Sequence, residues 1–264
     1  MQRSWKELIK PKKVEMESDA NDRFFGKFIC EPLERGFGQT IGNSLRRIML
    51  SSLQGAAVVS VKIDGVLHEL TTIPGVVEDV SDIILNLKEV RLRLHAEPPR
   101  TIRIEAQGER VVKAADIATD GQVEILNPDQ HIATLSKDGV LKMEMVVHLG
   151  KGYVPAERNQ NEGQVIGVIP IDAIFSPIRK INYVVTNARV GQRTDYDKLT
   201  LEVWTDGSIH PRDSIAYAAK ILKDQLTIFI NFEEDEELTE DMEERGDQGI
   251  NDNLFRSVDE LELS

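Results

Sequence analysis

Gly36, Gly38 and Gly42 follow an apolar run at 24–29 as a glycine loop leading into an apolar-periodic helix, and Asp64 ends a later apolar run. A strand, a glycine loop, a helix N-terminus and an acid about 20 residues further on are the parts of a dinucleotide site, where backbone N–H groups cradle pyrophosphate and the acid takes a ribose hydroxyl. Three details oppose that chemistry. Glu34 and Arg35 sit where a buried parallel strand stays apolar, the third glycine is one place late, and the chain lacks alternating βαβ units. The other reading of these glycines is a tight turn with close backbone packing. Asp195 and Asp197 could hold Mg²⁺, but two carboxylates without a third, beside Arg193 and Lys198, fit a solvated turn or a salt-bridge pair. His68, His95, His131, His148 and His210 show no His-x-x-His or His-x-x-x-His spacing, and Cys30 stands alone, so zinc is not expected. No Gly-x-Ser-x-Gly elbow occurs, and Gly150-Lys-Gly152 lacks the length and the Ser/Thr of a phosphate loop, which leaves a hairpin turn. The expectation is a chain with no catalytic residue, no metal and no cofactor of its own.

The 264 residues are 41% hydrophobic, enough for one or two domains with a sizeable core. A single cysteine excludes an internal disulfide and fits a reducing cytoplasm. No apolar h-region follows the first residues, and no apolar run approaches the ~20 residues of a membrane helix. A soluble, cytoplasmic protein without membrane contact is expected. The net charge of −13 is unevenly placed, because 233–264 holds 14 of the 45 acidic residues and only 2 of the 32 basic ones. The remainder is nearly neutral and lacks the basic field of a nucleic-acid surface, so no direct nucleic-acid binding is expected from 1–232.

Two helices dominate the pattern. In the first, Phe37, Ile41, Leu45, Ile48, Met49 and Leu53 fall on one side, and Thr40, Ser44, Arg47 and Ser51 on the other. Gly55 is suited to the left-handed position beyond its end. Arg46 projects near the apolar edge, where its stem can lie over packed surface. Arg47 projects among small polar groups, where its planar fork is open to a partner's carboxylate or main-chain carbonyls. The second helix is expected over 211–230, with Ile215, Ala219, Leu222, Leu226 and Phe229 as a packing seam and Pro211 in its first turn. Between them the chain reads as strands at 27–33, 57–64, 90–94, 101–106, 123–126 and 142–149, then a pair at 179–189 and 198–206. Short helices are expected at 80–86 and around 114–117. The fold class is α+β, and 233–253 reads as an acidic, flexible linker.

The string Glu31-Pro-Leu-Glu-Arg-Gly-Phe-Gly-Gln-Thr-Ile-Gly-Asn-Ser-Leu-Arg-Arg-Ile-Met-Leu-Ser-Ser-Leu53 resembles the first helix of the bacterial RNA polymerase α subunits. Val66-Leu-His-Glu-Leu70, Leu85-Asn-Leu-Lys88, Gly150-Lys-Gly-Tyr-Val-Pro-Ala156, Phe175-Ser-Pro-Ile-Arg-Lys180 and Ala188-Arg-Val-Gly-Gln-Arg-Thr-Asp-Tyr-Asp-Lys-Leu199 are similar to the family's strings in the family's order. Val258-Asp-Glu-Leu-Glu-Leu263 resembles the opening of its C-terminal domain.

The resemblance implies a discontinuous dimerisation subdomain of a sheet and two long helices (1–55 and 177–232), with a mostly-β subdomain inserted at 56–176. The linker and the start of a truncated C-terminal domain (254–264) would follow. It implies a homodimer held by Phe37, Ile41, Leu45, Ile48, Met49, Leu222, Leu226 and Phe229. The large β subunit would meet Arg47, Thr40, Ser44, Ser51, His68 and Glu69, and β′ would meet Lys88 and Ile171. The holoenzyme would add ω and σ, and this chain would serve the nucleotidyltransferase as a non-catalytic assembly subunit. One departure stands out: the family usually has an aspartate capping the last helix where this chain has His210. A lost cap costs ~1 kcal/mol, with Ser208 or Asp213 as candidate compensators.

Overall fold

Leu199, Leu201 and Val203 alternate with less buried neighbours, as do Leu141, Met143, Met145 and Val147, and each series lines one apolar sheet face that must be covered. The computed structural model describes residues 8–19, 21–159 and 165–230. The expected linker at 233–253 and the 258–263 string lie outside these residues. Among the described residues every strand pairing is antiparallel, and the fold is α+β.

One sheet has the order β1 (Val14–Met16), β2 (Phe25–Leu33), β14 (Arg193–Thr205), β13 (Ile178–Val190). Its inner face is covered by α1 (Phe37–Ser52) and by the first turns of α4 (Pro211–Leu226). Phe28, Leu33, Leu45, Met49, Leu199, Leu201, Val203 and Ala218 build this core.

The second core draws on Val58 to Ile171. Its sheet has the order β5 (Arg100–Gln107), β9 (Val140–Lys151), β3 (Gln54–Ile63), β4 (Leu92–Leu94), β7 (Val123–Ile125), with β11 (Val168–Pro170) also on β3. α2 (Val80–Lys88) packs Val80, Ile83, Ile84 and Leu87 into it, and Asp79 caps that helix by accepting the Asp82 N–H. Two ribbons, β6 (Arg110–Lys113) with β8 (His131–Leu135) and β10 (Tyr153–Val154) with β12 (Ala173–Ile174), and a short α3 (Ala156–Asn159) complete it. The first core is thus discontinuous in sequence, with the second core's residues falling between its two parts.

Four expectations are corrected. Gly38 and Gly42 are not loop residues; both lie in α1 on its buried side. A Cβ on Gly42 would stand 2.8 Å from Tyr183 Cδ2 and 2.9 Å from Leu199 Cδ1, so these glycines let the helix settle close against the sheet. Gly55 is no helix cap but part of β3, where a Cβ would fall 2.0 Å from the Phe175 carbonyl oxygen. Gly150-Lys-Gly152 forms no hairpin; Gly152, at φ +60°, bends the chain from β9 into β10, which pairs with β12. The last helix stops at Leu226 and tightens into a 3₁₀ turn, Thr227–Phe229, because the apolar spacing that suggested 230 does not itself supply backbone hydrogen bonds.

Candidate functional site

The N-terminus of α1 is held by a residue from the far end of the chain. Gly36, at φ +92°, precedes the helix and offers no side chain to cap it. Asp197 of β14 does so instead: the N–H groups of Gly36 and Gly38 donate to its Oδ2 at 2.8 and 3.0 Å. A buried carboxylate at a helix N-terminus meets both unpaired donors and the positive end of the helix dipole. Asp197 thus spends Oδ2 on the helix, and its neighbour Asp195 is bonded to Arg193. Among the described residues no group of three potential metal ligands occurs.

The apolar stripe of α1 divides in two. Leu45 and Met49 turn inward with Gly38 and Gly42 onto the chain's own sheet, Met49 at 0% exposure. Phe37 stays 45% exposed, and Ile41 and Ile48 are half-buried, forming an outer rim. Beyond the rim come Thr40, Ser44, Arg47 and Ser51, all exposed except the half-buried Ser44. The Ser51 hydroxyl donates to the Arg47 carbonyl at 2.8 Å, while among the described residues the Arg47 guanidinium has no partner. On α4, Pro211, Ser214 and Ala218 face inward, Leu222 is half-buried and Leu226 is exposed, as is Phe229 in the 3₁₀ turn beyond.

His68 and Glu69 sit on an exposed loop between β3 and α2. The Ser81 hydroxyl donates to the Glu69 carbonyl at 3.0 Å, and the loop's far end is latched by Glu78. The Glu78 carboxylate accepts from the Thr134 N–H at 2.6 Å, the Thr134 hydroxyl at 2.9 Å and His131 Nε2 at 2.8 Å. Burial pushes the Glu78 carboxyl up, but these bonds outweigh it and hold the group below its usual range. Nothing in the sequence marked this latch, because its partners lie more than fifty residues away.

Lys88 and Ile171 come together, though not as two surface groups. Ile171 is 2% exposed and belongs to the second core. Lys88 Nζ reaches Asp172 Oδ2, the next residue along, at 2.6 Å, and this bond holds the Asp172 carboxyl below its usual range.

His210 supplies the cap of α4 that its identity put in question. The Arg212 N–H donates to His210 Nδ1 at 3.1 Å, so the ring nitrogen replaces a carboxylate. Ser208 does not compensate, since its hydroxyl is bonded to Asp206 at 2.6 Å. Just before this cap, Arg93 of β4 donates to the carbonyls of Gly207 and Ser208 at 2.9 and 3.0 Å, tying the second core's sheet to the loop that launches α4.

A sheet whose core is discontinuous in sequence, an exposed arginine face and an inserted β unit define the class to which comparison with known proteins assigns the chain. A family model described as the RNA polymerase Rpb3/RpoA insert domain matches residues 61–176. The chain is similar along its whole length to proteins named DNA-directed RNA polymerase subunit alpha. It is 63% identical over 265 residues to that of Geobacter metallireducens, 60% over 268 to that of Desulfosudis oleivorans and 57% over 266 to that of Pelobacter propionicus, covering 78% of each relative. The chain belongs to the family of bacterial DNA-directed RNA polymerase α subunits.

Proposed function

We propose that this chain is the assembly scaffold of a bacterial DNA-directed RNA polymerase. Two copies pair through the outer rim of α1 (Phe37, Ile41, Ile48) and the seam Leu222, Leu226 and Phe229. The β subunit docks on the face formed by Arg47, Thr40, Ser44 and Ser51 and on the His68–Glu69 loop, and β′ docks beside Lys88 and Ile171. The chain supplies no catalytic residue, metal or cofactor; ω and σ join the assembled enzyme, which makes RNA on a DNA template. The observation that carries this reading is the exposed guanidinium of Arg47, without a partner among the described residues and flanked by a rim of exposed and half-buried apolar side chains. Large apolar groups clustered beside an available arginine are the composition of a protein interface. Purification of the tagged chain from its cells tests it. Recovery with two very large subunits supports the scaffold, and recovery of the chain alone refutes it.

A further inference from the structure

Three successive carbonyls in the loop between β14 and α4 accept from arginines of the second core's sheet. Arg93 Nε donates to the Ser208 carbonyl at 3.0 Å and Nη2 to that of Gly207 at 2.9 Å, while Arg91 Nη1 reaches that of Asp206 at 3.4 Å. The aim of Arg93 is fixed from behind. Its Nη1 donates to Oε2 of Glu124, the residue opposite it on β7, at 3.1 Å, and His95 Nε2 lies 3.1 Å from the same oxygen. The other side of the loop is anchored to the first core's sheet: the Asp206 N–H donates to the Pro177 carbonyl at 2.9 Å, and the Thr205 hydroxyl to the Arg23 carbonyl at 2.6 Å. Only Ile209 and His210 separate Ser208 from Pro211, where α4 begins. The direction in which α4 departs is therefore fixed from both cores. Leu222 stands about 16 Å along that helix, so a tilt of about 10° at its start moves the side chain by about 3 Å, more than a packed contact tolerates.

We infer that Arg93 is a positioning residue for the pairing of two copies: its fork, seated in the second core's sheet, aims α4 and so sets how firmly the seam closes. The inference rests on the proposed pairing through α4. A guanidinium is needed rather than a charge alone, because its planar fork serves two carbonyls while a third N–H holds Glu124. The inserted β unit, which carries none of the seam residues, thereby governs the strength of the dimer.

The test is the dissociation constant of the full-chain dimer by sedimentation, with amide hydrogen exchange on the same samples. Arg93→Ala and Arg93→Lys should each weaken pairing about tenfold, since lysine keeps the charge but not the fork. Exchange should speed up at 206–214 and stay unchanged at 100–107, on β5 of the same sheet. Arg103→Ala, on β5 and paired with Glu144 at 3.0 Å, should leave pairing unchanged. Equal acceleration of the two segments, or an equal loss of pairing in Arg103→Ala, would reduce Arg93 to general stability and overturn the inference. Glu124→Gln keeps the fork but loosens its aim and should weaken pairing about threefold. Should Arg93→Ala fail to fold, normal pairing in Glu124→Gln overturns the inference in its place. If Leu226→Glu separates the copies while Arg93→Ala stays within about twofold of the unmodified chain, the inference fails and the proposed pairing stands. If Leu226→Glu leaves the dimer intact, the pairing through α4 falls and the inference with it.

Discussion

Asp197 Oδ2 lies 3.0 Å from the N–H of Gly38, a residue 159 positions away in sequence, and 2.8 Å from that of Gly36. One carboxylate thereby fixes where the proposed docking helix starts and which way it rotates. Replacing it with alanine leaves two helix-terminal donors facing a buried, empty place. Asp197→Ala should cost about 2 kcal/mol in denaturant unfolding, while Asp197→Asn, which keeps an acceptor, should cost less. Equal losses for the two would remove the capping role.

Gly42 should not tolerate the best helix former. Alanine would gain up to about 1 kcal/mol in helix propensity. Its Cβ would nevertheless press on Tyr183 and Leu199 at 2.8 and 2.9 Å, and Leu199 is 1% exposed. Overpacking of this kind costs about 1–3 kcal/mol, so Gly42→Ala should lower the melting temperature. An unchanged or raised melting temperature would mean that the helix can lift away freely.

The divided stripe of α1 gives the proposed dimer a cleaner test than the stripe as a whole. Phe37→Glu or Ile48→Glu should yield a folded monomer by light scattering, with the circular dichroism spectrum retained. Leu45→Ala and Met49→Ala should instead destabilise each protomer by about 2–5 kcal/mol, because those side chains lie in its own core. A Phe37→Glu, Ile48→Glu double variant that stays dimeric would place the interface elsewhere.

Glu78 gives the proposed β-docking loop an acid sensitivity of defined sign. Its folded carboxyl titrates below its ordinary value. Its contribution is therefore complete above the unfolded value and is lost as pH falls through the folded one, a window below about pH 4.5. Hydrogen exchange of the 66–80 amides should speed up as pH drops through that window, beyond the intrinsic chemistry. Glu78→Gln should show fast exchange at neutral pH and little further opening in acid. Identical protection in both proteins at neutral pH would show that the latch holds nothing.

Long repeats were legible in the sequence and long-range partners were not. Two helices and the longer strands were read from periods sustained over many residues. β6 and β8 escaped because Val112, Ile132, Ala133 and Leu135 are too few, among polar neighbours, to display alternation. The pattern of α1 showed an apolar side but not its division, since Gly38 and Gly42 carry no hydrophobic signal although they mark the closest approach to the sheet. The Asp197 cap, the Glu78 latch and the Lys88–Asp172 pair each join residues remote in sequence, so only folding brings them together. His210 was legible as a departure from the family, but its ring nitrogen as a substitute acceptor was not.

The central claim is that α1 joins copies by one edge and binds β by the next. Arg47→Ala tests it directly in reconstitution with purified β. The variant should keep dimer mass and melting temperature and bind β roughly thirtyfold more weakly, a loss of about 2 kcal/mol. Normal β binding, or a loss that accompanies collapse of the dimer, would contradict the assignment of the two edges.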